Sequence, residues 1–326
     1  MMRLTLEQTI KPGQEKLFDL LVDMYGEQAE FLKDNYILVH GEAPILLIAH
    51  LDTVHREKVK DLCVSQDGNI LMSPQGIGGD DRCGVYALNA VYEKAPIKPW
   101  LLFTCDEEVG GLGADAFAKD YHFGYLPREL DDLKLMVEID RKGEDDAVYY
   151  DCDNEKFEKY ITGKGFITSY GTFSDISIIA PDLGVAAVNL SSGYYNAHTL
   201  YEYIDRAQLH AVIEKVLTIV DDAAKPDFPA YEYIKGKYGY GSFRNYYDWE
   251  NTQYDLTGIP AEIRDEYEAL LDYYDRDELE DIRKNLGDKW IKDLFESEFG
   301  GTYKEIFYDG GWAVDDDEKE DWKYGY

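Results

Sequence analysis

Four short, largely apolar runs constrain this chain more than any other feature: Ile45–Ile48, Trp100–Thr104, Leu133–Ile139 and Gly184–Leu190. The first is apolar at every position, as a strand buried on both faces must be. Helical patterns fall between them. Glu15 to Leu32 carries Leu17, Leu20, Leu21, Met24 and Tyr25 as one stripe, and Gly84 to Tyr92 reads as an amphipathic helix. Arg206 to Val220 is a closing helix with Asp205 placed as its N-cap. Tyr36–Val39 adds a short strand, and Val59–Ser65 and Asn69–Ser73 flank Gln66-Asp67-Gly68, a hairpin signal. This alternation predicts an α/β fold, a three-layer α/β/α sandwich around a mixed, mostly parallel central sheet. Ligands in such folds bind at the carboxyl ends of the strands.

Charge narrows the range of partners. Asp plus Glu number 66 against 33 Lys plus Arg, a net charge of −33. Such a field repels phosphate backbones and anionic lipid surfaces, and attracts cations; neither a nucleic acid nor a membrane is an expected partner. The densest apolar run, Pro44 to Ala49, is too short to cross a bilayer. The opening MMRLTLEQTIKPGQ lacks the basic-then-apolar pattern of a secretory signal. Cys63, Cys83, Cys105 and Cys152 are far apart with no CxxC pair, which predicts reduced thiols and a cytoplasmic protein.

The composition changes near residue 225, where DDAAKPDFPAYEY reads as a linker. Two parts follow: 1–225, the α/β domain, and 226–326, an acidic extension holding 14 of the 28 tyrosines. In the extension, Tyr231 to Tyr254 is expected to be irregular, and Pro260 to Phe299 helical up to Gly300-Gly301. Trp290, Leu294 and Phe295 are its expected core anchors, and the run Asp315 to Asp321 a solvated tail. Its tyrosines suit a lid or an oligomerisation surface; a helical buttress is the plainer role.

Five segments place acids or imidazoles after a strand candidate or in a Gly-rich turn. AHLDTVH contains His50 and Asp52, two residues apart, so a carboxylate can hold one ring nitrogen and leave the other free. A solvated or core histidine would look the same. GIGGDDRCG contains Asp80 and Asp81, which repel unless a cation neutralises them; an acidic turn capping the next helix is the alternative. TCDEEVGG puts Asp106, Glu107 and Glu108 at the end of an apolar strand, costly near a low-dielectric interior. The alternative there is a solvated helix start with acids on the dipole. LMVEIDRKG ends in Asp140, and GYYNAHTLYEYID holds His198 in a Tyr-rich turn. Together they form an N/O donor set suited to zinc, cobalt or manganese. No GxSxG is present, and Gly76–Gly79 is no dinucleotide fingerprint.

In order and spacing these segments resemble the co-catalytic di-zinc exopeptidases, the superfamily of peptidase T-like, glutamyl-aminopeptidase-like and leucyl-aminopeptidase-like enzymes. The resemblance runs from His50 to about Val220 and leaves out the last hundred residues. It implies two zinc ions per chain, with cobalt or manganese as substitutes. His50 and Asp140 would bind one ion, Glu108 and His198 the other, and Asp80 both. Asp52 would orient His50, Glu107 would be the general base, and the Asp80–Asp81 peptide bond would be cis. Asp81, Asp175 and Tyr195 are candidates for supporting or substrate-binding roles, and a helix cap is an equal reading of Asp175. Only 57 residues separate Asp140 from His198 and 29 separate His50 from Asp80. Neither gap holds the inserted domains of some relatives, so the layout resembles a catalytic domain alone.

The expected function is therefore a zinc-dependent exopeptidase, an aminopeptidase of short peptides, whose acidic mouth would draw a free α-ammonium. A metal-dependent deacylase of N-acylated small molecules is the alternative, and a non-catalytic interaction module the third. A homo-oligomer formed through the extension is the partner expected besides the substrate.

Overall fold

The computed structural model describes residues 4–171, 173–236, 259–270, 279–280, 283–284 and 286–299. In chain order the strands are β1 (Ala29–Leu32), β2 (Tyr36–Val39), β3 (Ala43–His50), β4 (Cys63–Val64), β5 (Ile70–Met72) and β6 (Pro99–Thr104). Then come β7 (Leu135–Arg141), β8 (Asp146–Val148), β9 (Ile167–Thr168), β10 (Ala187–Ser191), β11 (Tyr194–Tyr195) and β12 (Tyr203–Asp205). The main sheet has the order β1-β2-β6-β3-β7-β10-β8-β9. Its centre, β6-β3-β7-β10, is parallel throughout, and antiparallel pairs join β2 to β6 and β8 to β10. A small antiparallel sheet, β11-β12-β5-β4, includes the expected hairpin, turned by Gly68 at φ +78°.

Helices cover both faces of the main sheet. They are α1 (Leu6–Ile10), α2 (Gln14–Tyr25), α3 (Gly79–Lys94), α4 (Leu112–His122), α5 (Glu155–Thr162), α6 (Asp175–Leu183) and α7 (Arg206–Ala223). Ile45, Leu47 and Ala49 of β3 pack with α2, α3 and α7, while Leu46 and Ile48 pack with α4 and α6. This is the strand period of two, and it gives the expected three layers.

The same period decides where polar side chains go. Counting on from Leu46 and Ile48, His50 projects to the α4/α6 face. By the same parity, Thr104 follows Leu102, Glu138 and Asp140 follow Met136, and Asn189 follows Ala187. The four central strands thus end on one face in buried polar groups rather than aliphatic ones.

Several elements depart from the expectation. The helix from Glu15 stops at Tyr25, where Gly26 takes φ +53°, and 29–32 becomes an edge strand. The helix expected from Gly84 begins at Gly79 and is buried at every position through Tyr92. It is not amphipathic, because the sheet lies on one side and α7 and α1 on others. Asp205 does cap α7, accepting from the amides of Ala207 and Gln208.

The chain divides into two compact units, Met1–Ser242 and Phe243–Tyr326. Within the first, the strand-like stretch past residue 225 pairs back onto the α/β body, through Val185 with Glu232 and Cys152 with Lys235. In the second, a 3-10 turn Ala261–Ile263 leads into a helix Arg264–Leu270, and a further helix spans Lys289–Phe299 after Gly287 at φ +93°. Phe295 is buried as expected, with Ile291 beside it, but Trp290 is 50% exposed and is not a core anchor. Residues 237–254, Gly300-Gly301 and the acidic run Asp315 to Asp321 lie outside the described residues. Among the described residues no helix is long and apolar enough to cross a membrane.

Candidate metal centre

His50 ends β3 with no exposure, and Asp52 lies just past it. The His50 Nδ1 to Asp52 Oδ1 distance is 3.2 Å. A carboxylate can only accept, so Nδ1 donates to Asp52, and Nε2 is the nitrogen that would bind an ion once the proton it shares with Asp80 is displaced. Asp52 also accepts the Glu107 amide at 3.1 Å and the Glu108 amide at 3.0 Å. One carboxylate therefore orients a histidine ring and pins the acidic turn after β6. Gln14 grips that turn from the other side: it donates to Asp106 at 2.8 Å and accepts its amide at 3.2 Å.

Asp80 stands at the start of α3, and its peptide bond to Asp81 is cis. Its two oxygens face two different histidines. Oδ1 lies 3.1 Å from His50 Nε2, and Oδ2 lies 3.2 Å from His198 Nε2. His198, at φ +64° in the β11–β12 loop, is also 3.2 Å from Glu108 Oε2. On the other flank, His50 Nε2 is 3.7 Å from Asp140 Oδ1 and 3.9 Å from Glu107 Oε2. Asp81 turns inward, accepting the His50 amide at 3.3 Å and the Gly84 amide at 2.9 Å.

The electrostatics show what this cluster lacks among its own groups. Burial drives Glu107 and Asp81 well above the usual carboxylate range. Burial and the neighbouring Asp80 push Asp140 up to about 8. Burial acts to lower His50, but Asp140 and Asp52 outweigh it and hold the imidazole well above its ordinary value. Hydrogen bonds that His198 donates to Asp80 and Glu108 push it up to about 11. Desolvation would raise Asp80, yet hydrogen bonds from His198 and His50 leave it low. A cation bound among these groups would compete with the protons that the raised groups hold.

The donor set fits a divalent ion. Glu108 Oε1 is buried with no hydrogen-bond partner among the described residues. Ligand atoms of His50, Asp80 and Glu108 lie within 4.8 Å of one another, and so do those of His50, Asp81 and Asp140. Around an ion with bonds of about 2.0–2.2 Å, tetrahedral ligand atoms sit about 3.3–3.6 Å apart. The observed 3.1–3.7 Å separations of His50, Asp80, Asp140, Glu108 and His198 bracket that spacing.

Supporting groups surround the cluster. Asn189 donates to the Asp140 carbonyl and accepts its amide at 2.8 Å, which holds β10 to β7 at the site. The strand β11 sends Tyr194 inward, its hydroxyl 3.4 Å from Asp140 Oδ1. Tyr195, one residue on, points the other way: it donates to Gln208 at 2.6 Å and stacks on Tyr203. Asp175 is the first residue of α6, whose N-cap is Ser174 rather than Asp175 itself. Its carboxylate accepts from Thr104, and Oδ1 is buried without a partner among the described residues. Asn189, Tyr194 and the buried Arg82 are not singled out by sequence. Arg82 donates to the Thr9 and Pro12 carbonyls, close to Asp52 and Asp81. A charged residue directly after Asp80-Asp81 was the only local sign of it.

No protein-family model matches the sequence, and no curated protein is detectably similar to it. Solved structures are. Aminopeptidase PepT from Bacillus cereus aligns with a TM-score of 0.52 at 14% identity, covering 68% of this chain and 97% of that one. A tripeptidase from Staphylococcus aureus aligns at 0.51 and 15%, covering 68% and 97%. A TET aminopeptidase from a marine-sediment thaumarchaeon aligns at 0.51 and 11%, covering 66% and 95%. At these identities the likeness is one of fold. The chain shares its α/β fold with these aminopeptidase and tripeptidase structures.

Proposed function

We propose that this protein is a divalent-metal exopeptidase, an aminopeptidase of short peptides that holds two zinc ions. The observation carrying this reading is Asp80, whose two oxygens face two histidines on separate loops. His50, Asp80 and Asp140 would hold one ion, and Asp80, Glu108 and His198 the other, each set leaving a position for water or substrate. Bound there, the ions would polarise a scissile carbonyl and bring the pKa of a shared water toward ~7.

The chain's own residues do the rest. Glu107 is free of the ligand sets, and Asp52 fixes its amide, so its carboxylate is held beside the cluster. It takes the proton of the attacking water and passes it to the leaving amine. Burial keeps that carboxyl's proton affinity high, which suits a group that must both accept and return a proton. Asp52 holds the His50 ring so that Nε2 faces the centre.

Four free cysteines favour a reducing, cytoplasmic setting. Assembly into a homo-oligomer through 226–326 belongs to the same proposal; light scattering of the full chain tests it.

The test of function is metal content together with hydrolysis of free-amine peptides and their N-acetylated counterparts. Two ions per chain with cleavage of free-amine peptides alone supports the aminopeptidase. Cleavage of acetylated substrates alone would move the assignment to a deacylase. A protein that takes up no ion and cleaves neither would be an interaction module. Glu107→Gln should cut kcat by about 10²–10⁴-fold while leaving metal content unchanged; surviving turnover would refute the role of Glu107.

A further inference from the structure

We propose that Glu202, paired with His55, is a positioning residue that sets the shared ligand Asp80, so that a single loop governs both halves of the metal centre. This rests on the reading of Asp80 as a ligand common to two ions.

Glu202 has no exposed side-chain surface. Its Oε1 accepts the Asp80 amide at 3.0 Å; its Oε2 accepts the Gly78 amide at 3.0 Å and His55 Nε2 at 2.7 Å. Three donors converge on one carboxylate, the arrangement by which a buried charge is compensated without a salt-bridging Lys or Arg. The two amides flank Gly79, so the carboxylate clamps the turn immediately before Asp80.

The turn is moulded to this clamp. A Cβ on Gly76 would sit 2.2 Å from His55 Nδ1, and one on Gly79 would sit 2.6 Å from Tyr194 Cβ and 3.2 Å from Glu202 Oε1. No other residue allows that approach at either position. The Gly-rich stretch that resembles a helix-entry turn in the sequence is therefore a close-packed interface with His55, Tyr194 and Glu202.

Glu202 also belongs to the loop that carries His198. The Glu202 amide donates to the Thr199 carbonyl at 3.2 Å, and Thr199 Oγ1 donates to the Asn196 carbonyl at 2.8 Å and accepts the Tyr201 amide at 3.1 Å. The loop between β11 and β12 thus supplies His198 directly and Asp80 through Glu202. A shift of this loop moves two ligands of the second ion at once, but only one ligand of the ion at His50 and Asp140.

The experiment titrates metal-free full-length protein with Zn²⁺ against a competing chelator, for wild type, His55→Leu, His55→Gln and Glu202→Gln. Thermal midpoints of the metal-free forms are measured alongside. Loss of a partner that orients a metal ligand weakens metal binding by about 10–100-fold. That loss is expected in His55→Leu and Glu202→Gln for one of two bound equivalents, with the other less affected. His55→Gln, whose amide can still donate to Oε2, should restore most of the affinity. A merely structural role would lower the metal-free midpoint and leave Zn²⁺ affinity alone. If Glu202→Gln fails to fold, the two His55 variants decide the matter. Equal affinity in wild type and His55→Leu, or equal loss in His55→Leu and His55→Gln, overturns the proposal. A wild-type chain that binds fewer than two equivalents instead overturns the shared-ligand reading beneath it.

Discussion

Loading the centre with metal should release protons, because its proposed ligands bind them more tightly than free side chains do. A ligand must offer a lone pair, so any proton it holds has to leave when the ion binds. Three proposed ligands have raised proton affinity: His50, kept high by Asp140 and Asp52, Asp140 itself up to about 8, and His198 up to about 11, with His50 and Asp140 titrating as a pair. All three shifts are upward, so the protons are bound below these values and lost above them. Acid therefore competes with the ion. His198 keeps 54% of its side chain in solvent, where screening weakens its partners, so it contributes least securely. The expectation at pH 7 is net proton release on full loading, and an affinity for the pair of ions that climbs as pH rises. Above about pH 8 the slope should fall by about one as Asp140 ionises by itself. Calorimetric titration of Zn²⁺ in two buffers of different protonation enthalpy gives the proton count. Release of fewer than one proton per chain, or an affinity flat from pH 6.5 to pH 7.5 (roughly the interval probed), would refute this account of the site.

Further expectations follow from the same geometry. Chelation should lower the thermal midpoint, because ion binding favours the native state by about 2.7 kcal/mol at a hundredfold excess over Kd; an unchanged midpoint in scanning calorimetry would mean that no ion is held by the folded chain. Asp52→Asn replaces an acceptor of three donors with a group that can serve only some of them. It should lower kcat or metal affinity by about 10–100-fold, and wild-type kinetics with normal Zn²⁺ uptake would remove Asp52 from the site. Leu47→Ala in the centre of β3, fully buried between α-layers, should cost about 2–5 kcal/mol by denaturant unfolding; a loss under about 0.5 kcal/mol would contradict the packing described.

The central strands were legible because a strand buried on both faces needs an uninterrupted apolar run, and such runs are local in sequence. Of the proposed ligands, His50 and Asp140 lie at the ends of such runs and Glu108 follows one, whereas Asp80 lies at the entry to α3 and His198 in a turn. The bounds of helices were less legible. The stripe from Glu15 continues past Tyr25 as a pattern, but Gly26 at positive φ ends the helix. The helix at Gly84 carries enough polar residues to look half-exposed, and only its place between the sheet and α7 explains its burial. Glu202 gave no sign, since an acid between tyrosines near a strand resembles an ordinary solvent-facing position. The missing Cβ atoms of Gly76 and Gly79 were the one available hint that something presses on that turn. Tyr194 and Tyr195 could not be told apart before the strand's inward side was known.

What the sequence by itself determined is the apolar strands of the sheet and the acids and imidazoles that follow several of them, because apolar runs and the period of two are properties of neighbouring residues. The tertiary structure decided which atom meets which: Asp52 holding amides 55 and 56 residues away, Asp80 turning one oxygen to His50 and the other to His198, Glu202 gripping an amide 122 residues distant. Those pairings depend on sheet order and loop closure. Neither is encoded in any local pattern, and only the folded chain brings those charges together.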